Sequence, residues 1–250
     1  MYRLPMFLVL VLLASCKNEK KNAFTAQMVI DRSIAISGGD LYGNTIRSFD
    51  FRNHSYISEN GNGAQVLKRI LKNDTATILD IRTNQKFERY VNDRLVKLHD
   101  SIASKYANSV NSVHYFADIP NGLNDPAVKK ELLGETMVKG QQYHKVKVTF
   151  DQANGGDDFD DTYVYWFNAE TWKPDFLAYE FHVDGGGMRL REAYNERYVN
   201  GIRFVDYNNY KTKDMETSIF KIDSLFESGS LEFLSKIELK NISVNRGNYN

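Results

Sequence analysis

The 250-residue chain has one cysteine, four prolines and no excess of charge. A single cysteine excludes an internal disulfide and any multi-cysteine metal site. Four prolines leave none for a Pro-rich linker. Thirty-two basic side chains balance thirty-two acidic ones, so nothing global draws the chain to nucleic acid. The apolar run at 4–14 has eleven residues, too few for a spanning helix, which needs about 20. There is no GxSxG, Walker A or GxGxxG motif, and none of the five histidines forms HxH or HExxH. No 20–50-residue repeat is visible. What remains is a chain with 42% hydrophobic and 13% aromatic residues, enough to bury a core.

The N-terminus carries the sharpest signal. Arg3 is a short positive region, and the apolar run after it fits the middle of an export signal. The run ends in Leu13-Ala14-Ser15-Cys16, which resembles a bacterial lipobox. That resemblance implies a signal peptide at 1–15 and Cys16 as the mature N-terminus, acylated on sulfur and nitrogen. Each buried methylene contributes about 0.8 kcal/mol, so two or three chains anchor where one does not. Residues 16–22 then form a lipidated polar tether, and 23–250 a single domain. Lys17 follows the cysteine. By resemblance to lipoprotein sorting in Gram-negative bacteria, the absence of aspartate there permits transfer to the outer membrane. The plain alternative is an exported soluble protein with an incidental cysteine.

Along the body, Met28, Ile30, Ile34 and Ile36 give a helical spacing that stops at Gly38-Gly39. Strands are expected at 45–58, 65–72, 75–82, 86–91 and 94–98. A helix is expected at 99–117 and a second, short one at 125–133, with Pro126 in its first turn. Strands follow at 143–150, 162–168, 176–183, 188–198 and 202–211. Asn200-Gly201 is a two-residue hairpin signal, and Gly185-Gly186-Gly187 is another turn. A short helix at 224–227 precedes a last strand at 237–244. Ten or so antiparallel strands with helical inserts make a mainly β chain. Units of alternating strand and helix, which build parallel α/β sheets, are missing.

SGGDLYGN after the first helix, the opening strand IRSFDFRNHSYI and the hairpin WFNAETWKPDFLAYEF resemble the LolA/LolB/LppX superfamily of lipid carriers. RLREAYNERYVNGIRFVDYNNYK at 189–211 is similar to a group of uncharacterised bacterial lipoproteins of the same plan. The resemblance covers about 23–244. It implies a curved antiparallel meander that forms an incomplete β-barrel lidded by helices around a hydrophobic concavity. The superfamily's better-known members bind acyl chains of lipoproteins or lipids. No functional residue carries over. Fifteen phenylalanines and fifteen tyrosines suit the lining of such a concavity, or simply the packing of a core.

Candidate chemistry is sparse. Strand alternation puts Arg189, Arg191 and Asn195 on one face, the two guanidiniums about 7 Å apart by strand rise. They are placed to hold a phosphate, sulfate or carboxylate, with Tyr207 and Tyr210 across the hairpin as partners. The plain alternative is a solvated Arg–Asp network of little energetic weight. Arg52, His54 and Tyr56 form a second group, either at a pocket mouth or at a solvated strand end. His144 shares strand parity with Val146, Val148 and Phe150 and reads as a hydrogen-bonded core residue. The acidic loop at 151–161 lacks the spacing of a calcium-binding EF-hand and reads as a solvated turn. No cofactor and no metal are expected.

Three functions stay open. One is a lipid-anchored, non-enzymatic envelope protein binding a hydrophobic or amphipathic ligand such as a lipid or acyl chain. Its partners are then the membrane, through the anchor, and that ligand. Another is a structural lipoprotein whose concavity is filled by its own helices and whose partner is a protein. The third is a hydrolase-type enzyme using the Arg189/Arg191 region with His54.

Overall fold

The structure, a computed structural model, describes residues 24–61, 63–151, 160–182, 185–212 and 216–247. Helix α1 (Ala26–Ser37) is capped by the Thr25 hydroxyl, which accepts from the Met28 amide at 3.2 Å. It buries Ala26, Val29, Ile30, Ser33 and Ser37, the i, i+3, i+4 stripe of an amphipathic helix. It stops at Gly38, where φ is 148° and an added Cβ would meet the Tyr42 ring at 2.8 Å.

Six strands follow as a meander: β1 (Thr45–Phe51), β2 (His54–Gly61), β3 (Ala64–Lys72), β4 (Thr77–Thr83), β5 (Phe87–Val91) and β6 (Arg94–Val96). Helix α2 (Asp100–Ala117) leads to a second meander. Its strands are β7 (Val128–Val138), β8 (Gln141–Phe150), β9 (Thr162–Asn168), β10 (Pro174–Phe181), β11 (Gly187–Val199), β12 (Ile202–Lys211) and β13 (Glu232–Ile237), with α3 (Ile222–Glu227) between the last two. Strand β14 (Lys240–Arg246) crosses back to pair with β1. Two seven-stranded antiparallel sheets result, in the orders β14-β1-β2-β3-β4-β5-β6 and β13-β12-β11-β10-β9-β8-β7. The fold is mainly β and not closed, as the resemblance implies.

Three expectations are corrected. The strand expected at 45–58 is a hairpin, broken at Arg52, whose φ is 54°. The helix expected at 125–133 is the start of β7, which alternates half-buried and exposed residues along its pairing with β8. Its Lys-Lys-Glu-Leu-Leu run is a good local helix former, but the ladder overrides that propensity. The last strand, expected at 237–244, is two. Glu238 and Leu239 turn the chain from one sheet to the other. Asp206 on β12 holds that turn: its carboxylate accepts from the Leu239 amide at 2.9 Å, from Arg197 at 2.9 Å and from Asn195 at 2.6 Å.

Both sheets and both long helices share one core. It joins Val29 and Ile30 of α1, Val113 and Phe116 of α2, Phe49 and Tyr56 of the first sheet, and Val146, Tyr165, Phe167 and Phe204 of the second. A separate cluster lies against the second sheet, where Val164, Trp166, Phe176, Met188 and Leu190 meet Ile219 and Ile222. Lys145 donates to Asp223 at 2.7 Å there, and the Trp166 indole donates to the same carboxylate. Alternate residues of β9 thus enter different clusters, which is why Tyr163–Phe167 reads as an unbroken apolar run.

Candidate functional site

Helix α2 packs on β3, β4 and β5 of the first sheet. All its buried residues (Val110, Val113, His114, Phe116 and Ala117) lie in its second half. The middle of the helix, at Tyr106 and Ser109, stands over a cavity of about 300 Å³ also lined by His54, Arg69, Leu71, Ile78, Asp80 and Arg89. His54, Leu71 and Ile78 are register partners in one row across the sheet. A second cavity of about 380 Å³ lies between the β4–β5 turn and Asp100, Ala103, Ser104 and Ala107.

The first cavity's polar floor is made by three strands. The Asp80 carboxylate, 1% exposed, accepts from Arg69 Nε at 3.0 Å and Nη2 at 2.7 Å, and from Arg89 Nε at 2.6 Å and Nη2 at 2.9 Å. Arg69 Nη1 also donates to Ser109 Oγ at 2.8 Å, tying the floor to α2. The Arg89 guanidinium lies 3.4 Å from the Tyr106 ring centroid. Burial and the neighbouring Arg69 hold the His54 imidazole below its usual pKa. On the same face, Arg47 pairs with Asp118 at the end of α2 at 2.7 Å, and burial pushes the Arg82 guanidinium down. His114, between Phe49 and Tyr56, contacts the Lys68 carbonyl oxygen through Nε2 at 3.1 Å. Burial lowers its pKa to about 4.

The residues singled out in the sequence do not form one site. Arg189 lies over Phe181, and Arg191 lies over both Phe116 of α2 and Tyr179. Arg191 donates to the Tyr179 hydroxyl at 3.2 Å, and its Nε is buried without a partner among the described residues. Arg52 stacks on Phe51, which meets Phe116 edge-on, so Arg52 and Arg191 flank one aromatic pair. His54 opens instead into the cavity beneath α2. Asn195 points to Asp206 at the turn between sheets. Tyr207 is buried in the shared core, whereas Tyr210 packs on Phe226 and Phe233 in the other cluster. His144 forms a three-ring cluster with Phe24 and Trp172, which also stack on each other. Cys16 and positions 152–159 of the acidic loop lie outside the described residues. Of that loop's flank, Asp160 and Asp161 approach His182.

Arg69, Asp80 and Arg89 were not legible as a site. In β3 and β4 the apolar Ile70, Leu79 and Ile81 alternate with Arg69, Asp80 and Arg82. Hydrophobic alternation alone puts the aliphatic set inward. The structure buries Arg69 and Asp80 instead and leaves Ile70, Leu79 and Ile81 half-buried. The usable signal was charge complementarity at directly paired positions, Arg69 opposite Asp80 and Asp80 opposite Arg89.

This architecture, two antiparallel meanders lidded by helices and open along one side, is a LolA-like fold. A LolA superfamily protein from Nitrosomonas europaea matches it with a TM-score of 0.51 at 10% identity, over 91% of this chain and 96% of that one. A DUF1329 family protein from Desulfovibrio piger matches with a TM-score of 0.49 at 14% identity, over 87% and 92%. A putative outer membrane lipoprotein-sorting protein domain from Vibrio parahaemolyticus gives 0.46 at 8% identity, over 90% and 93%. The chain belongs to a family described as "Family of unknown function (DUF6503)", which matches residues 52–239. No curated protein matches it.

Proposed function

We propose that this is a lipid-anchored, non-enzymatic protein of the bacterial envelope that binds a hydrophobic or amphipathic ligand between α2 and the first sheet. The observation that carries the reading is the division of α2. From Val110 on it is part of the core, while Tyr106 and Ser109 just before cover a cavity walled by Leu71 and Ile78. A cavity of about 300 Å³ is at the lower end for ligand sites, and a lid segment that buries no apolar side chain and is held by polar and ring contacts at Tyr106 and Ser109 can shift to enlarge it. The proposal includes a signal peptide at 1–15, acylation of Cys16, a tether to residue 22, one domain beyond it, and residence at the outer membrane. These rest on the lipobox-like Leu-Ala-Ser-Cys and on Lys17 after it. No helix among the described residues is long and apolar enough to cross a membrane.

A second reading is supported by the interior itself. Ile30, Leu123, Tyr165 and Phe167 are fully buried, so much of the concavity is filled by the chain's own side chains. A structural lipoprotein that binds another protein fits that filling. Native mass spectrometry of the chain from Lys17, followed by solvent extraction, separates the two. The carrier reading expects a stoichiometric acyl-bearing molecule. An unliganded protein that captures an envelope protein instead would replace it with the second reading.

A further inference from the structure

The polar floor of the cavity is not neutral. Two guanidiniums converge on one carboxylate, and Asp80 is the sole acid among the lining residues. The pair Arg47–Asp118 is complete by itself, so it supplies no spare anion. Farther along the same face Arg82 makes no salt bridge among the described residues. The site therefore holds at least one positive charge in excess, on side chains mostly removed from water: Arg69 is 10% and Arg89 13% exposed. An uncompensated charge in such a place is costly unless a counter-charge joins it. The neighbouring imidazole of His54 does not add to the positive charge, because burial and Arg69 favour its neutral form.

The geometry points to an anionic head group as what this cavity recognises: we propose that the ligand is an amphiphile whose carboxylate or phosphate is held by Arg69 and Arg89 while its chain lies against Leu71 and Ile78. This rests on the ligand-binding reading above and names its substrate class. Guanidiniums suit the task because their fork of N–H donors matches the oxygens of a carboxylate or phosphate. Asp80 takes the Nε–H and one Nη2–H of each arginine, and Ser109 takes one Nη1–H of Arg69, which leaves N–H donors on the Nη groups of both for a head group. The Arg89 guanidinium lies against the Tyr106 ring, and its Nη1 is not among the atoms that hold Asp80. The apolar wall above the floor gives the chain a place that a free inorganic anion cannot use. A cationic head group is repelled by the arginines, and a neutral one gains no charge pairing from them.

The test uses decanoate and decanol, which share a chain and differ in head group, with inorganic phosphate as the anion without a chain. Calorimetric titrations would be made on the chain from Lys17, which leaves every described residue in place, and on its Arg89→Met variant. Arg89→Met leaves Arg69 paired with Asp80, so the floor becomes neutral rather than broken. Decanoate is expected to lose at least tenfold in affinity in the variant, with decanol unchanged, and inorganic phosphate to bind the wild type at least tenfold more weakly than decanoate. Equal binding of decanoate and decanol, unaffected by the substitution, overturns the head-group assignment and leaves the carrier reading standing. Binding of neither overturns both. Phosphate binding as tightly as decanoate overturns the amphiphile. Should the variant unfold, carbon-13 NMR of carboxyl-labelled decanoate on the wild type decides: a bound carboxylate that stays ionised below the pH at which the free acid protonates supports the proposal, and one that protonates as in water overturns it.

Discussion

His114 shows how one buried side chain sets a pH dependence. It sits against Phe49 and Tyr56, with Nε2 on the Lys68 carbonyl and Nδ1 buried without a partner among the described residues. Burial lowers its pKa from 6.5 to about 4, and His54 and His144 shift in the same direction for the same leading reason. The folded-state value is below the unfolded one, so the unfolded chain binds the proton first as pH falls. Stability is full above about pH 6.5 and declines down to about pH 4, by up to about 3 kcal/mol from His114 alone. Urea unfolding at a series of pH values checks this. His114→Gln is expected to flatten the decline, and an unchanged slope would refute the assignment. The sequence hides this role: His114 falls within a helix whose periodicity is legible, but its neutral state follows from aromatic rings contributed by β1 and β2.

At the scale of elements, the joint between the sheets depends on a few polar contacts. Asp206 gathers the Leu239 amide, Arg197 and Asn195, and Arg197 also donates to the Leu239 carbonyl at 2.7 Å. Asn200 reaches the Val244 carbonyl at 2.6 Å, so the β11–β12 hairpin is fastened to β14 as well. Asp206→Ala leaves the buried Leu239 amide unsatisfied and is expected to cost about 1–3 kcal/mol. Urea unfolding reads that loss, and an unchanged midpoint would show that the turn is held by packing alone. Most elements were legible, because Asn-Gly turns, alternation and caps are local signals. Asn200 and Gly201 both have positive φ, as their hairpin requires. What was not legible was decided by pairing. The Lys-Lys-Glu-Leu-Leu stretch became a strand only because β8 lies beside it, and the last strand divided because β1 offered β14 an edge.

For the whole molecule, the two meanders meet at β13 and β14, and α2 lies between the last strand of one and the first of the other. The half-barrel was readable from strand count and from the resemblance in the turns and hairpins. The candidate site was not. Its charged residues alternate with aliphatic ones that stay half-buried, so the polar face of β3, β4 and β5 is the one covered by α2. Only His54 among the sequence candidates opens into that cavity. On the proposed function, ligand enters beneath residues 100–109, which bury no side chain in the core and are tied to the sheet through Tyr106 and Ser109, while residues 110–117 stay fixed in the core. Hydrogen–deuterium exchange of the chain from Lys17, with and without decanoate, tests this directly. Protection is expected to rise in residues 100–109 and in β3–β5, with the helix beyond Val110 and the α3 cluster unchanged. No change beneath α2, or protection confined to α3 and the second sheet, would contradict the account.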